Sequence, residues 1–222
     1  MFELIEKKLL PIMDIEVQIY ENKLFSCKHI HLKNNNNEKS FAVAFRTIPG
    51  SSNGVAHILE HLVLSGSKCY PVRGSFFEMM KRSLSSFMNA FTSKDFTFYP
   101  FSTVNSKDFK NLLNVYLDSV FFPNLNKLDF MQEGHRFELI KNKKGKDQLK
   151  IKGIVYNEMK GAMSSVDRVF NEGLYKNLLP NTTYSNNSGG DPEHIPELTY
   201  EELQNFHKIH YHPSNACFFS HG

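Results

Sequence analysis

The stretch His57-Ile58-Leu59-Glu60-His61 constrains this chain more than any other, because its polar and apolar residues separate cleanly only on a helix. At about 100° per residue, His61 lies roughly 40° from His57 around the axis and Glu60 roughly 60° to the other side, so the three heads share one arc. Ala56, Leu59, Leu62 and Val63 then form the face that packs inward. Two imidazoles at i and i+4 can hold one divalent ion, with a carboxylate beside it to act as base. The bland alternative is a surface helix whose histidines and glutamate are merely solvated.

Composition allows a real core but gives few clues to partners. The 222 residues, 41% hydrophobic, suit one sizeable domain or two small ones. A net charge of +3 is too weak a bias to call for nucleic acid or an anionic membrane. Cys27, Cys69 and Cys217 are odd in number and free of C-x-x-C spacing, which supports neither a disulfide framework nor a cysteine zinc site and fits a reducing compartment. No apolar run approaches the roughly 18 residues of a membrane span, and Glu3 and Glu6 stand where a signal or transit peptide carries bases. A soluble chain follows, cytoplasmic by default, with an organelle open because a removed presequence leaves no trace.

Along the chain, a short lead-in precedes strands over 15–20 and 24–32, and Asn34 to Asn37 is a low-complexity loop. A third strand over 40–47 carries Phe41, Val43 and Phe45 on one face, and Pro49-Gly50-Ser51-Ser52 turns into the motif helix, which ends near Ser65-Gly66. A helix over 75–82, a hairpin of strands over 86–92 and 96–103, and a helix over 107–121 follow. Strand ends at 137–140 and 149–151 flank a lysine-rich loop. One long helix over 154–179, a loop over 181–196, a helix over 200–209 and a last strand over 216–220 complete the pass. Without a βαβ rhythm or an internal repeat, the expected class is α+β: a largely antiparallel sheet with helices packed on it.

A catalytic zinc usually has three protein ligands and one open position. Glu158 is the best candidate for the third, at the edge of a stripe formed by Val155, Met159, Ala162, Val166 and Val169. A surface acid whose stem lies along that stripe is the competing reading, and the residues alone favour it slightly. His29 and His31 read as exposed strand residues, and His207, His210 and His212 as a helix-terminal trio; neither group brings a carboxylate placed as base. The run Lys141, Lys143, Lys144, Lys146, Lys150 and Lys152 lacks interleaved aromatics and reads as a solvated loop.

Further segments carry a wider likeness. These are Gly54 to His61, Tyr70-Pro71-Val72, Phe76 to Met79, Met88-Asn89-Ala90-Phe91-Thr92, Gly153 to Gly161, Ser188-Gly189-Gly190-Asp191-Pro192 and His210 to Asn215. In that order they resemble the N-terminal domain of the pitrilysin and insulinase superfamily, the inverted-zincin metallopeptidases, and most closely the presequence-protease and falcilysin branch. The motif reverses the H-E-x-x-H order of other zinc peptidases. The resemblance implies that His57, His61 and Glu158 bind Zn2+, that Glu60 is the catalytic base, and that an edge strand containing Asn89, Ala90 and Phe91 binds substrate. Glu158 follows His61 by 97 residues, similar to the longer spacing of that branch. Many other relatives carry an acid seven residues before the distal ligand; this chain has Ile151 there, and Glu133 is a possible secondary carboxylate.

What the resemblance implies is a zinc endopeptidase of short unfolded peptides, with residues 1–222 as a single N-terminal domain of a longer multi-domain enzyme. Its partners are then peptide substrates and the remaining domains, with no nucleic acid and no membrane. The isolated chain is expected to bind zinc and cleave slowly or not at all. The apolar end Phe218-Phe219-Ser220-His221-Gly222 suggests that the natural polypeptide continues. A non-catalytic subunit of the same family and a zinc-independent peptide-binding module are the alternatives.

Overall fold

The structure is a computed structural model that describes residues 1–142 and 145–222. Lys143 and Lys144 of the lysine run lie outside the described residues. Strands β1 (Phe2–Leu10), β2 (Ile15–Asn22), β3 (Cys27–Lys33) and β4 (Lys39–Arg46) lead into helices α1 (Val55–Val63) and α2 (Ser75–Arg82). Strands β5 (Ser85–Met88), β6 (Phe91–Thr92) and β7 (Phe96–Thr103) follow, then α3 (Ser106–Phe121) and α4 (Lys127–Glu133). The hairpin β8 (Arg136–Lys141) and β9 (Asp147–Lys152), helices α5 (Ile154–Ala162), α6 (Val166–Leu178) and α7 (Tyr200–His210), and strand β10 (Ala216–His221) complete the order.

The main sheet runs β1-β2-β3-β10-β4-β7-β5, with β6 also on β7; only the β3–β10 pair is parallel. Period-two alternation in β4 and β7 sends Phe41, Val43, Phe45, Tyr99 and Phe101 to one face, where they meet Ile58, Leu59, Leu112, Tyr116 and Leu203 from the helices. This is the α+β architecture expected, with β8–β9 as a separate two-stranded sheet. No helix among the described residues is long and apolar enough to cross a membrane.

Beyond end shifts of a few residues, such as β3 starting at Cys27 where a strand is expected from Leu24, the structure departs from the sequence reading at four places. The lead-in is strand β1, paired with β2; a register shift between Leu4 and Glu6 breaks the alternation that marks a strand. Residues 127–133 form α4, too short for a helical period to show, opened by the Asn126 side chain accepting from the Leu128 N–H at 2.9 Å. The long helix over 154–179 is two helices. Between them the Ser164 N–H and hydroxyl both donate to the Gly161 carbonyl, at 3.1 and 2.6 Å, which closes the last turn of α5 and ends it. The apolar stripe ends there too: Val155 and Met159 are buried, whereas Val166 is 82% exposed. Lastly, the first hairpin strand is interrupted at Asn89-Ala90, yet Met88↔Phe101 and Phe91↔Phe98 belong to one continuous register. Asn89 turns its side chain onto the Ala90 N–H there.

Candidate metal centre

Helix α1 is oriented by burial. Val55, Ala56, Ile58, Leu59, Leu62 and Val63 are all buried, which leaves His57, Glu60 and His61 facing away from the core. Burying each large aliphatic side chain contributes about 1.5–3 kcal/mol, so the direction of the polar face is held far more firmly than any single polar contact could hold it. The two imidazole rings lie 5.0 Å apart at 77°.

Helix α5 brings the third group. A Cβ on Gly153, at its start, would lie 1.9 Å from the Gly134 carbonyl oxygen at the end of α4, so only glycine lets these two segments approach as they do. With Val155 and Met159 buried, the next face of α5 carries Glu158 towards α1. Its Oε1 lies 3.8 Å from His57 Nε2 and its Oε2 4.0 Å from His61 Nε2. One donor atom from each of the three lies within 4.8 Å of the others. Zinc at about 2.0–2.2 Å from each donor needs donor separations of roughly 3–3.6 Å, so the set fits the ion with a small inward adjustment of side chains.

Each imidazole is held by its other nitrogen. His57 Nδ1 donates to the Gly189 carbonyl at 3.0 Å, and His61 Nδ1 donates to Glu133 Oε2 at 3.1 Å. Both Nε2 atoms therefore face Glu158 with their lone pairs. Burial pulls His61 towards its neutral form, but the Glu133 hydrogen bond and the charges of Glu60, Glu133 and Glu158 outweigh it, so its pKa is raised above the ordinary imidazole range. Glu60 Oε2 accepts from the Thr92 hydroxyl at 2.5 Å. Behind it the Thr97 and Thr47 hydroxyls are bonded at 2.7 Å, so β6 and β7 hold this carboxylate from the sheet side.

Of the remaining candidates, Glu133 lies at His61, and Asn89, Ala90 and Phe91 lie on the outer edge of the sheet, where β6 approaches α1. His29 and His31 are half-buried rather than exposed, because Phe2 of the unforeseen β1 covers His29 and both rings share the Ser220 hydroxyl, at 2.7 and 2.8 Å. The helix-terminal histidines separate: His207 donates to the Val120 carbonyl, His210 to the Arg46 carbonyl, and His212 pairs with Ser214. In the lysine run, Lys141, Lys146 and Lys150 are exposed and Lys152 pairs with Glu138 at 2.6 Å. The groups that reasoning from residues did not assign to the site are Thr92 and Gly189. Thr92 is one hydroxyl among many, and Gly189 acts through a backbone oxygen that no residue type encodes.

The family described as "Insulinase (Peptidase family M16)" matches residues 49–152. The mitochondrial presequence protease of Xenopus tropicalis is 56% identical over 195 residues, 88% of this chain and 19% of that protein. The one from Schizosaccharomyces pombe is 47% identical over 221 residues, 100% of this chain and 22% of that protein. The chain thus spans about a fifth of the length of these relatives. The crystal structure of pitrilysin superposes with a TM-score of 0.75 at 18% identity, covering 99% of this chain and 22% of that one, which shows a shared fold. Residues 49–152 thus match the insulinase family of peptidases, M16, and the chain shares the fold of pitrilysin.

Proposed function

We propose that this chain is the zinc-bearing N-terminal domain of a presequence-protease-like endopeptidase, with His57, His61 and Glu158 as ligands and Glu60 as general base. The observation that carries this reading is the convergence of two free Nε2 atoms and one carboxylate from separate helices, with Glu60 on the same face of α1. Zinc held there would supply Lewis-acid chemistry, acidifying water and polarising a peptide carbonyl. Glu60, steadied by Thr92, accepts the proton from the attacking water and passes it to the leaving amine. Glu133 and the Gly189 carbonyl keep the imidazoles aimed.

The peptide lies extended along the open edge at Asn89, Ala90 and Phe91 and pairs with its backbone by strand addition. The substrates are short unfolded peptides, targeting presequences among them, and the compartment is the mitochondrion in place of the cytoplasmic default, as the names of the relatives suggest. The remaining length of those relatives supplies the domains that close around the substrate, so residues 1–222 alone bind zinc and turn over slowly.

Metal analysis of the chain purified without added metal tests the ligand set. We expect about one zinc per chain, lost in His57→Ala, His61→Ala and Glu158→Ala and kept in Glu60→Gln. Unchanged metal content in the ligand variants would sink the proposal, as would peptide cleavage by the full-length protein that survives Glu60→Gln.

A further inference from the structure

His57 and His61 are aimed by partners of different kinds. Glu133 offers His61 a charged side chain, whereas Gly189 offers His57 a backbone oxygen, whose position depends wholly on the loop that carries it. We infer that the loop from Asn187 to Asp191 is a positioning element of the metal centre: it sets the tautomer of His57 and keys the helix of Glu158 against the helix of the histidines. This inference rests on the zinc reading above.

A carbonyl only accepts, so the 3.0 Å contact with Gly189 places the His57 proton on Nδ1 and leaves Nε2, the atom 3.8 Å from Glu158, as the donor of a lone pair. The loop that presents this carbonyl is pinned on both sides by one residue ahead of α1. The Asn187 N–H donates to the Ser52 hydroxyl at 3.0 Å, and the Asp191 N–H donates to the Ser52 carbonyl at 2.7 Å. Between the pins, the Gly190 N–H returns to the Asn187 carbonyl at 2.9 Å and closes a tight turn.

The turn depends on glycine. Gly190 has φ +102°, and a Cβ there would lie 2.8 Å from the Ile195 side chain and 2.9 Å from the Cα of Gly54, the residue that opens α1. Ile195 is fully buried and the Gly54 contact is with backbone, so neither neighbour can yield cheaply. On its other side the loop meets α5: a Cβ on Gly189 would lie 2.9 Å from the sulfur of Met159, the buried neighbour of Glu158. One short segment therefore touches the start of α1, the ring of His57 and the residue beside the third ligand. A displacement of this loop changes both the direction of the His57 lone pair and its distance from Glu158.

Gly190→Ala tests the inference, with Ser52→Ala as a milder variant that removes one pin and adds no atom. Three quantities are read on each protein: Zn2+ affinity by competition with a chromophoric chelator, the neutral tautomer of His57 by 15N NMR of the chelator-treated chain, and unfolding by urea. Gly190→Ala is expected to bind Zn2+ about 10-fold more weakly, the lower end of the usual cost of losing a ligand's outer partner. Its His57 should show a mixture of Nδ1–H and Nε2–H forms where the parent shows Nδ1–H alone, and Ser52→Ala should move both readouts in the same direction by less. If stability falls while affinity and tautomer stay at parental values, the loop is only structural and the inference is overturned. Should Gly190→Ala not fold, parental affinity and tautomer in Ser52→Ala overturn it as well. A parent chain that fails to bind Zn2+ instead overturns the zinc reading, and the tautomer comparison still reports on the loop.

Discussion

The two helices that supply the candidate ligands are anchored in opposite ways. In α1, six of nine residues are buried, and each histidine has a second partner behind it. In α5 only Val155 and Met159 are buried, α6 beyond it buries none of its residues, and the Glu158 side chain is 54% exposed. The histidine half is thus preorganised by packing and hydrogen bonds, whereas the glutamate half is placed by its backbone and keeps its rotamer freedom. Such a division would suit a metal ion: the fixed pair would receive it and the carboxylate would close on it, at the cost of ordering one side chain.

The largest effect that could break this contrast is loss of a ligand. His61→Ala and Glu158→Ala should each weaken zinc binding on the order of 100-fold or more, about 3 kcal/mol. Their effects on the zinc-free fold should differ. His61→Ala leaves the Glu133 carboxylate, which is only 13% exposed, with just the long 3.4 Å hydrogen bond from Gln132, and should lower unfolding stability by about 1–3 kcal/mol. Glu158→Ala removes an exposed charge and should stay within about 0.5 kcal/mol of the parent. Urea titrations in the presence of chelator measure both, and equal losses would mean that the two halves are held alike.

Truncations away from the ligands sharpen the same contrast at the level of packing. Leu59 is fully buried on α1 between the two histidines, and Leu59→Ala should cost about 2–5 kcal/mol of stability. Val169 on α6 is 50% exposed, and Val169→Ala should change stability by less than about 0.5 kcal/mol. A large loss at Val169 would show that α6 is anchored as firmly as α1.

The same asymmetry governs what could be read from the residues. On α1 the apolar face and the face of the candidate ligands are complementary arcs of one helix, so the motif and its burial are legible together. On α5 the periodicity ran on through Val166 and Val169, and nothing in it signalled that the Ser164 backbone and hydroxyl would end the helix. That Glu158 meets the histidines depends on the Gly153–Gly134 approach, a contact between distant backbones that local pattern does not encode. Periodicity alone leaves Glu158 open, and it is the likeness to known metallopeptidases that singles it out. β1 and α4 leave no clear pattern for simpler reasons, a bulge in one and seven residues of length in the other.

The smallest expected effect concerns pH, where His61 of the site and the buried histidines outside it pull in opposite directions. Burial lowers the pKa of His207, only partly offset by the Val120 carbonyl that accepts its Nε2–H, and burial with the His31 charge likewise lowers that of His29. As pH falls through the unfolded value of about 6.5, the unfolded chain takes up these protons first, so their contribution makes the fold less stable towards acid. His61 has the opposite sign: its raised pKa contributes stability that is fully present below the unfolded value and lost as pH rises through the folded one. In chelator-treated protein, His207→Gln should therefore flatten the fall in unfolding free energy between about pH 6.5 and 5, by less than about 1 kcal/mol. His61→Ala should instead steepen the net loss on the acid side, because it removes the one group among these three that gains from protonation. Parallel shifts in the two variants would mean that His61 titrates as an ordinary buried imidazole, and that Glu133 does not hold its ring in the way the 3.1 Å contact implies.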